Sequence, residues 1–294
     1  MARPHAIDGG ELSHLGGSPD NSTTTGVNPQ GQCPVMDGGP RKMLLNIVQD
    51  LLDLAPQMTS SQIKNLLLAA LPRNAFEALR PDLVHVELEI RTPIFLPDDE
   101  VEWVYFPSTG MISILQSTAD SRGIELATIG REGALGAIAG FGLNYALTAA
   151  IVQMPLTALK ISAARFRKHV AQFASLQEMA LKSNEVILAQ TQVTAACNAL
   201  HNVEQRFCRW LLQTWDRSES DTIALTQEFL GEMLGVRRTS VTEIASELQA
   251  SGIIRYRRGH IEVVNRRELE KRSCECFHAV RRAEKTIMGI ELKK

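Results

Sequence analysis

The sequence predicts an α+β chain: an antiparallel β-roll of jelly-roll type, a long dimerisation helix and a winged helix-turn-helix. Three observations carry this. The apolar period falls from helical to about two near Leu83 and becomes helical again after Ile161. A helix pair built around small residues then leads into an alternating hairpin over 225–264.

A chain of 294 residues accommodates two domains and a tail. With 44% hydrophobic and 22% charged residues, it has the composition of globular proteins, which names no function. The net charge is −2, yet the part after His201 holds 17 Lys/Arg against 14 Asp/Glu. The small basic excess lies where a polyanion partner would need it. Five scattered cysteines without a leader pattern indicate a reduced cytoplasmic setting. Gly133–Met154 is uncharged over 22 residues, but four glycines and the following Pro155 favour a buried turn and strand over a membrane span.

Residues 1–40 hold eight of the 20 glycines and five of the 12 prolines, a disordered tail by composition. Helical spacing follows at Arg41–Ala55, and again at Ser61–Leu71 behind a Thr59/Ser60/Ser61 cap. Alternation begins with Val84, Val86, Leu88 and Ile90, and turn signals at Pro93, Pro97-Asp98-Asp99, Pro107–Gly110, Asp120–Gly123 and Gly130 punctuate short strands. These place a roll with N-terminal helices at 41–162.

From Ala163 to Trp215 neither proline nor glycine interrupts a helical pattern. Leu176, Met179, Ser183, Val186, Gln190, Val193, Cys197 and Leu200 recur at steps of three and four, the spacing of a coiled-coil seam. Residues 163–197 are therefore expected to pair with a second copy of the chain, with Leu176, Met179, Val186, Gln190, Val193 and Cys197 in the interface. The other reading of such a stripe is a helix packed on its own domain.

In Leu225–Ile244, Gly231 and Gly235 occupy the places where two crossing helices need a small residue and a turn with positive φ. The face left free holds Arg237, Arg238, Thr239, Ser240, Thr242, Glu243 and Ser246, suited to phosphates and base edges in a major groove. Ile253–Val264 alternates about a turn at Arg258-Gly259, a wing whose Arg255, Arg257 and Arg258 suit phosphate contacts. This places a DNA-binding domain at 198–272 and a helical extension at 273–294, with double-stranded DNA as the partner.

On these residues the chain resembles the Crp/Fnr family of bacterial transcription regulators. The motifs are Leu225-Thr-Gln-Glu, Gly235-Val-Arg-Arg-Thr-Ser-Val and Gly252-Ile-Ile, with Val104-Tyr-Phe-Pro-Ser-Thr-Gly and Ile129-Gly-Arg-Glu-Gly in the roll. The resemblance implies a cyclic-nucleotide-binding-type sensor roll at 41–162, a homodimer and regulation of transcription without catalysis. RNA polymerase is admitted as a further partner.

Family members that read DNA with an Arg-Glu pair and a following Arg have Thr239 and Glu243 substituted here, so their target sequence does not carry over. At the positions that resemble a cyclic-nucleotide site stand Glu132, Leu147 and Thr148. Leucine replaces the phosphate-binding arginine, so tight cyclic AMP binding is not expected and the effector stays open. Cys33 alone cannot supply the N-terminal cysteines of the iron–sulfur members. Cys274-Glu-Cys276 with His278 is read as a surface pattern, and no metal or cofactor is expected. Two alternatives remain: a constitutive DNA-binding dimer with a filled structural roll, and a cupin-like metal enzyme fused to a DNA-binding module, for which Leu83–Ile161 offers only His85.

Overall fold

The computed structural model describes residues 63–118, 123–218 and 220–289. The tail expected at 1–40 and the helix expected over Arg41–Ala55 lie outside them. Two short helices come first, α1 (Leu66–Ala69) and α2 (Arg73–Leu79). Asn65 caps α1, accepting from the amides of Leu67 and Leu68, and the Thr59/Ser60/Ser61 run expected as a cap lies outside the described residues. Its amide nitrogen donates to Pro107 O and Gly133 O, tying this cap to the roll.

The roll is built from β1 (Val84–Leu88), β2 (Pro93–Phe95), β3 (Trp103–Ser117), β4 (Gly123–Ile129) and β5 (Ala149–Ser162). The order is β1-β5-β3-β4, all antiparallel, with β2 also on β5. The pairing of β3 with β5 shifts register between Pro107 and Ile112. Gly110 lies there with φ +78°, and a Cβ on it would stand 2.1 Å from Pro155 O. Only glycine lets the two long strands bend together at this point.

The uninterrupted helix expected from Ala163 to Trp215 is three helices: α3 (Ala163–Gln172), α4 (Ala174–Leu200) and α5 (Val203–Arg217). The second break has a local signal, because Asn202 and Gln205 form a reciprocal capping box that starts α5. The first falls at Phe173, where the backbone is extended.

The seam stripe also departs from expectation. Leu176, Met179, Val186, Gln190 and Cys197 are buried inside the chain, and Val193 packs against a buried cysteine cluster. The reason is visible at the polar seam positions. Strand β4 is the sheet's edge, and Gln190 completes it by donating to Thr128 O and accepting from Thr128 N, both at 3.1 Å. Ser183 does the same for Ala134 at 3.0 and 3.1 Å. These polar side chains satisfy backbone groups of the roll that would otherwise be buried unpaired.

The C-terminal part comprises β6 (Thr222–Ala224), α6 (Gln227–Leu234), α7 (Arg238–Ala250), β7 (Ile254–Arg257), β8 (His260–Val263), α8 (Arg266–Arg272) and α9 (Cys276–Met288). The sheet order is β6-β8-β7. Phe207, Leu211, Phe229, Leu230, Leu234, Val241, Leu248, Ile254, Ile261 and Phe277 form one core, against which Leu115 and Ile151 of the roll also pack.

Two buried polar groupings join roll and C-terminal part. Arg217, at the end of α5, has a side chain only 2% exposed and binds Glu132 Oε1 at 2.7 Å and Glu284 Oε1 of α9 at 2.5 Å. Burial opposes its charge, but the two carboxylates hold it protonated beyond the ordinary arginine. Burial and the charge of Glu132 raise the pKa of Glu284 in turn, against the pull of Arg217. The second grouping runs through the roll. Glu125 Oε2 lies 2.7 Å from Ser113 Oγ, which lies 2.5 Å from Gln153 Oε1, and Gln153 Nε2 donates to Thr214 Oγ1 of α5 at 3.3 Å. One hydroxyl proton cannot serve two acceptors. The chain closes when Glu125 is protonated and donates to Ser113, and burial pushes its pKa up to about 7.

Arg217→Met is expected to lower stability in urea unfolding by about 3–5 kcal/mol, because it leaves two buried carboxylates uncompensated. Adding Glu132→Gln and Glu284→Gln is expected to recover most of that loss. Glu125 binds its proton more tightly folded than unfolded, so its contribution is full below the ordinary value of 4.5 and declines as pH rises to about 7. Glu125→Gln is therefore expected to gain stability on the wild type between pH 5 and pH 8, by roughly 1.4 kcal/mol per pH unit at most, in urea titrations at both pH values.

Candidate nucleic-acid interface

Helices α6 and α7 meet at the turn Gly235-Val236-Arg237. Thr226 caps α6 by accepting from Phe229 N, and Gly235 ends it with φ +65°. A Cβ on Gly231 would stand 2.9 Å from Val236 O, so this glycine is what lets the turn close on the helix. A guanidinium NH of Arg206, on α5, donates to Leu234 O and fixes the same turn from behind. Val241, Ala245 and Leu248 then anchor α7 in the core.

The opposite side of α7 is open. Arg237, Arg238, Thr239, Thr242, Glu243 and Ser246 are exposed, and Ser240 is half-buried. No side chain caps the amino end of α7, which opens at Arg237 and Arg238. Thr242 Oγ1 lies 2.7 Å from Gln227 Oε1, which joins the amino end of α6 to this face.

Beside it stands the hairpin of β7 and β8. Its two-residue turn has Arg258 at φ +47° and Gly259 at φ +77°, the primed geometry that suits a tight hairpin. Tyr256 OH donates to Leu225 O at 3.0 Å and its amide donates to Gln249 Oε1 at 2.7 Å, so the wing is fixed to α7 and to the segment before α6. Arg257 and Arg258 project at the tip. Arg255, expected to be free, pairs with Glu262 at 2.5 Å across the hairpin. Thr226, Gln227, Glu228, Arg238, Tyr256, Arg258 and Gly259 enclose a concavity of about 460 Å³ between the helices and the wing.

The expected effector positions do not converge on a pocket. Glu132 is 4% exposed and is spent on Arg217 and on Gly130 N. Leu147, at the position that resembles the phosphate-binding arginine, is 84% exposed, among Leu143 and Tyr145 on the loop before β5. The loop is held by backbone hydrogen bonds between Asp98–Val101 and Asn144–Ala146, which bury Ala146 and leave Leu143, Tyr145 and Leu147 exposed. Thr148 is half-buried beside it. His169 bonds Asp82 at 2.8 Å, and that contact holds the Asp82 carboxyl below its ordinary pKa.

Cys274 and Cys276, expected at the surface, are buried, whereas His278 is exposed and pairs with Glu270. Sequence spacing around α9 could not show why, because the partners of the two cysteines come from α4. No described helix is long and apolar enough to cross a membrane; Gly133–Met154 forms a helical turn, a loop and the start of β5.

A family model described as a Crp-like helix-turn-helix domain matches residues 205–272. No curated protein matches the chain by sequence. Among solved structures, FixK2 of Bradyrhizobium japonicum is 18% identical, with a TM-score of 0.56 over 65% of this chain and 98% of its own. The c-di-GMP responsive global regulator CLP of Xanthomonas campestris is 19% identical, with a TM-score of 0.53 over 65% of this chain and 99% of its own. A Crp/Fnr-family transcriptional regulator of Eubacterium rectale is 14% identical, with a TM-score of 0.56 over 70% of this chain and 96% of its own. The chain therefore has the fold of the Crp/Fnr transcription regulators, and its residues 205–272 are a Crp-like helix-turn-helix domain.

Proposed function

We propose that the protein is a sequence-specific, homodimeric DNA-binding regulator of transcription that reads the major groove with α7. The observation that carries this reading is the exposed polar face of α7, with Arg238, Thr239, Thr242 and Glu243 rising beside the arginine-tipped wing. Arg238 is the guanine reader, because a guanidinium can bond O6 and N7 together. Thr239, Thr242 and Glu243 select among the remaining base edges. Arg237, Ser240, the amides opening α7 and wing residues Arg257 and Arg258 take phosphates.

Pairing falls to the outward side of α4, where Leu181 and Leu188 are 53% and 51% exposed at a heptad spacing, with Ala195 one heptad further on. Leu176, Met179, Val186, Gln190, Val193 and Cys197 brace that helix from the inner side. Each dimer then carries two recognition helices for a two-fold site.

The roll acts as the controlling body. Gly235 of the turn sits against Ile124 of β4, and the Arg91 guanidinium lies 5.3 Å over the ring of Phe229. Any ligand that prefers one arrangement of these contacts would bias the recognition helix. Cyclic AMP is a poor fit, since Glu132 is engaged by Arg217 and Leu147 offers no cation. CLP, with the same fold, answers a cyclic dinucleotide, which makes that class the first to screen, by calorimetry on the full chain.

Arg238→Ala is expected to weaken binding to the selected site by ~1–3 kcal/mol and to relax base choice at one position per half-site, in fluorescence anisotropy against base-substituted duplexes. Arg257→Ala with Arg258→Ala should weaken all duplexes alike and flatten the salt dependence by roughly two phosphates. Unchanged site selection in Arg238→Ala would show that α7 does not read bases. Leu181→Glu with Leu188→Glu is expected to yield a folded monomer by light scattering; a dimer that survives both changes would place the interface elsewhere.

A further inference from the structure

Cys197 and His201 stand one turn apart at the carboxyl end of α4, the spacing that puts two side chains on one helix face. Cys274 and Cys276 stand in the turn that opens α9. The fold brings the four together, with one ligand-type atom from each within 4.8 Å of all the others. Cys197 Sγ is 3.5 Å from Cys274 Sγ, and Cys276 Sγ is 3.6 Å from His201 Nδ1. Around a single zinc ion, with bonds near 2.3 Å to sulfur and 2.0–2.1 Å to nitrogen, tetrahedral ligand atoms stand about 3.5–3.8 Å apart.

We propose that Cys197, His201, Cys274 and Cys276 form a structural Cys3His zinc site that fastens α9 to α4. Four ligands with all three cysteines buried leave no open position, as structural zinc requires and catalytic zinc does not. The histidine is already oriented for it. Its Nδ1 faces the thiols, while Nε2 lies 3.3 Å from Glu275 Oε1, an outer carboxylate that fixes the tautomer presenting Nδ1 to a metal. Three thiolates around Zn2+ carry one net negative charge, and the guanidinium groups of Arg206 and Arg209 lie close enough to act on the cluster's charge. Each has a buried Nε with no partner. An iron–sulfur cluster spreads its ligands over several irons and needs them further apart than one ion does.

The site has a clear consequence for the architecture. Residues 202–273, containing the whole helix-turn-helix and wing, lie between the two ligand pairs. One ion thus closes the reading domain into a loop whose two ends are held to the long helix, and binding couples to folding.

The test uses the full chain expressed in zinc-supplemented medium and purified with reductant. Mass spectrometry of metals is expected to find about one zinc per chain, and X-ray absorption a shell of three sulfurs at ~2.3 Å and one nitrogen. Replacing the metal with Co2+ in the wild type is expected to give thiolate-to-cobalt charge transfer and tetrahedral ligand-field bands, a readout independent of any variant's folding. Cys276→Ser and His201→Gln should lose the bound zinc, whereas Cys208→Ala, whose thiol lies in the helix-turn-helix core outside the cluster, should keep it. Chelation should lower the melting temperature, and added zinc should restore it. Metal-free protein with all five thiols titratable, a Cys197–Cys274 disulfide, iron with acid-labile sulfide, or zinc retained in both ligand variants would each overturn the proposal.

Discussion

The guanidinium of Arg217 is where three parts of the chain meet. It lies at the end of α5, takes Glu132 from the roll and Glu284 from the last helix, and is sealed from solvent. An arginine suits this place because its planar fork serves two carboxylates at once and stays charged when buried. Removing the triad as a unit would leave three segments free to part; breaking one member leaves charge stranded in a low dielectric. The fate of the roll's Gly-Arg-Glu-Gly loop follows from it. Where that loop resembles a nucleotide cradle, it is instead an inter-element clasp.

The long helix α4 serves as a spine used on two sides. Its inner face is polar where it meets the edge of β4 and the loop after it, through Gln190 and Ser183, and apolar where it meets the roll's core, through Leu176, Met179 and Ala180. Its far end gathers Cys197 and His201 beside the start of α9. The outer face, with Leu181 and Leu188, is left for a second subunit in the proposed dimer. A displacement of this helix would therefore be felt by β4, by α9 and by the partner together, which is the kind of connected element that can carry a signal between domains.

The helix-turn-helix was legible almost residue by residue. Gly231 and Gly235 are where a close approach and a positive φ demanded them, and the apolar positions Leu230, Leu234, Val241 and Leu248 are those that lock the pair. Such motifs are local: their constraints act over a few residues, so spacing alone reveals them. The strands of the roll were legible by alternation, and the Asn202–Gln205 capping box was a readable local signal for the end of α4. The stripe from Leu176 to Cys197 was legible as buried, but burial on one helix face does not say against what.

By itself, then, the sequence determined the order of roll, long helix and winged helix-turn-helix, and the polar face of α7, because period, turn chemistry and glycine geometry are properties of neighbouring residues. Only the tertiary structure decided that the seam is covered by the chain's own roll and last helix, that Glu132 shares Arg217 with Glu284, that Leu147 is exposed, and that Cys197 and His201 meet Cys274 and Cys276. Apart from the exposure of Leu147, each of these joins residues many tens of positions apart, and no spacing rule spans a contact whose geometry exists only after the elements have packed.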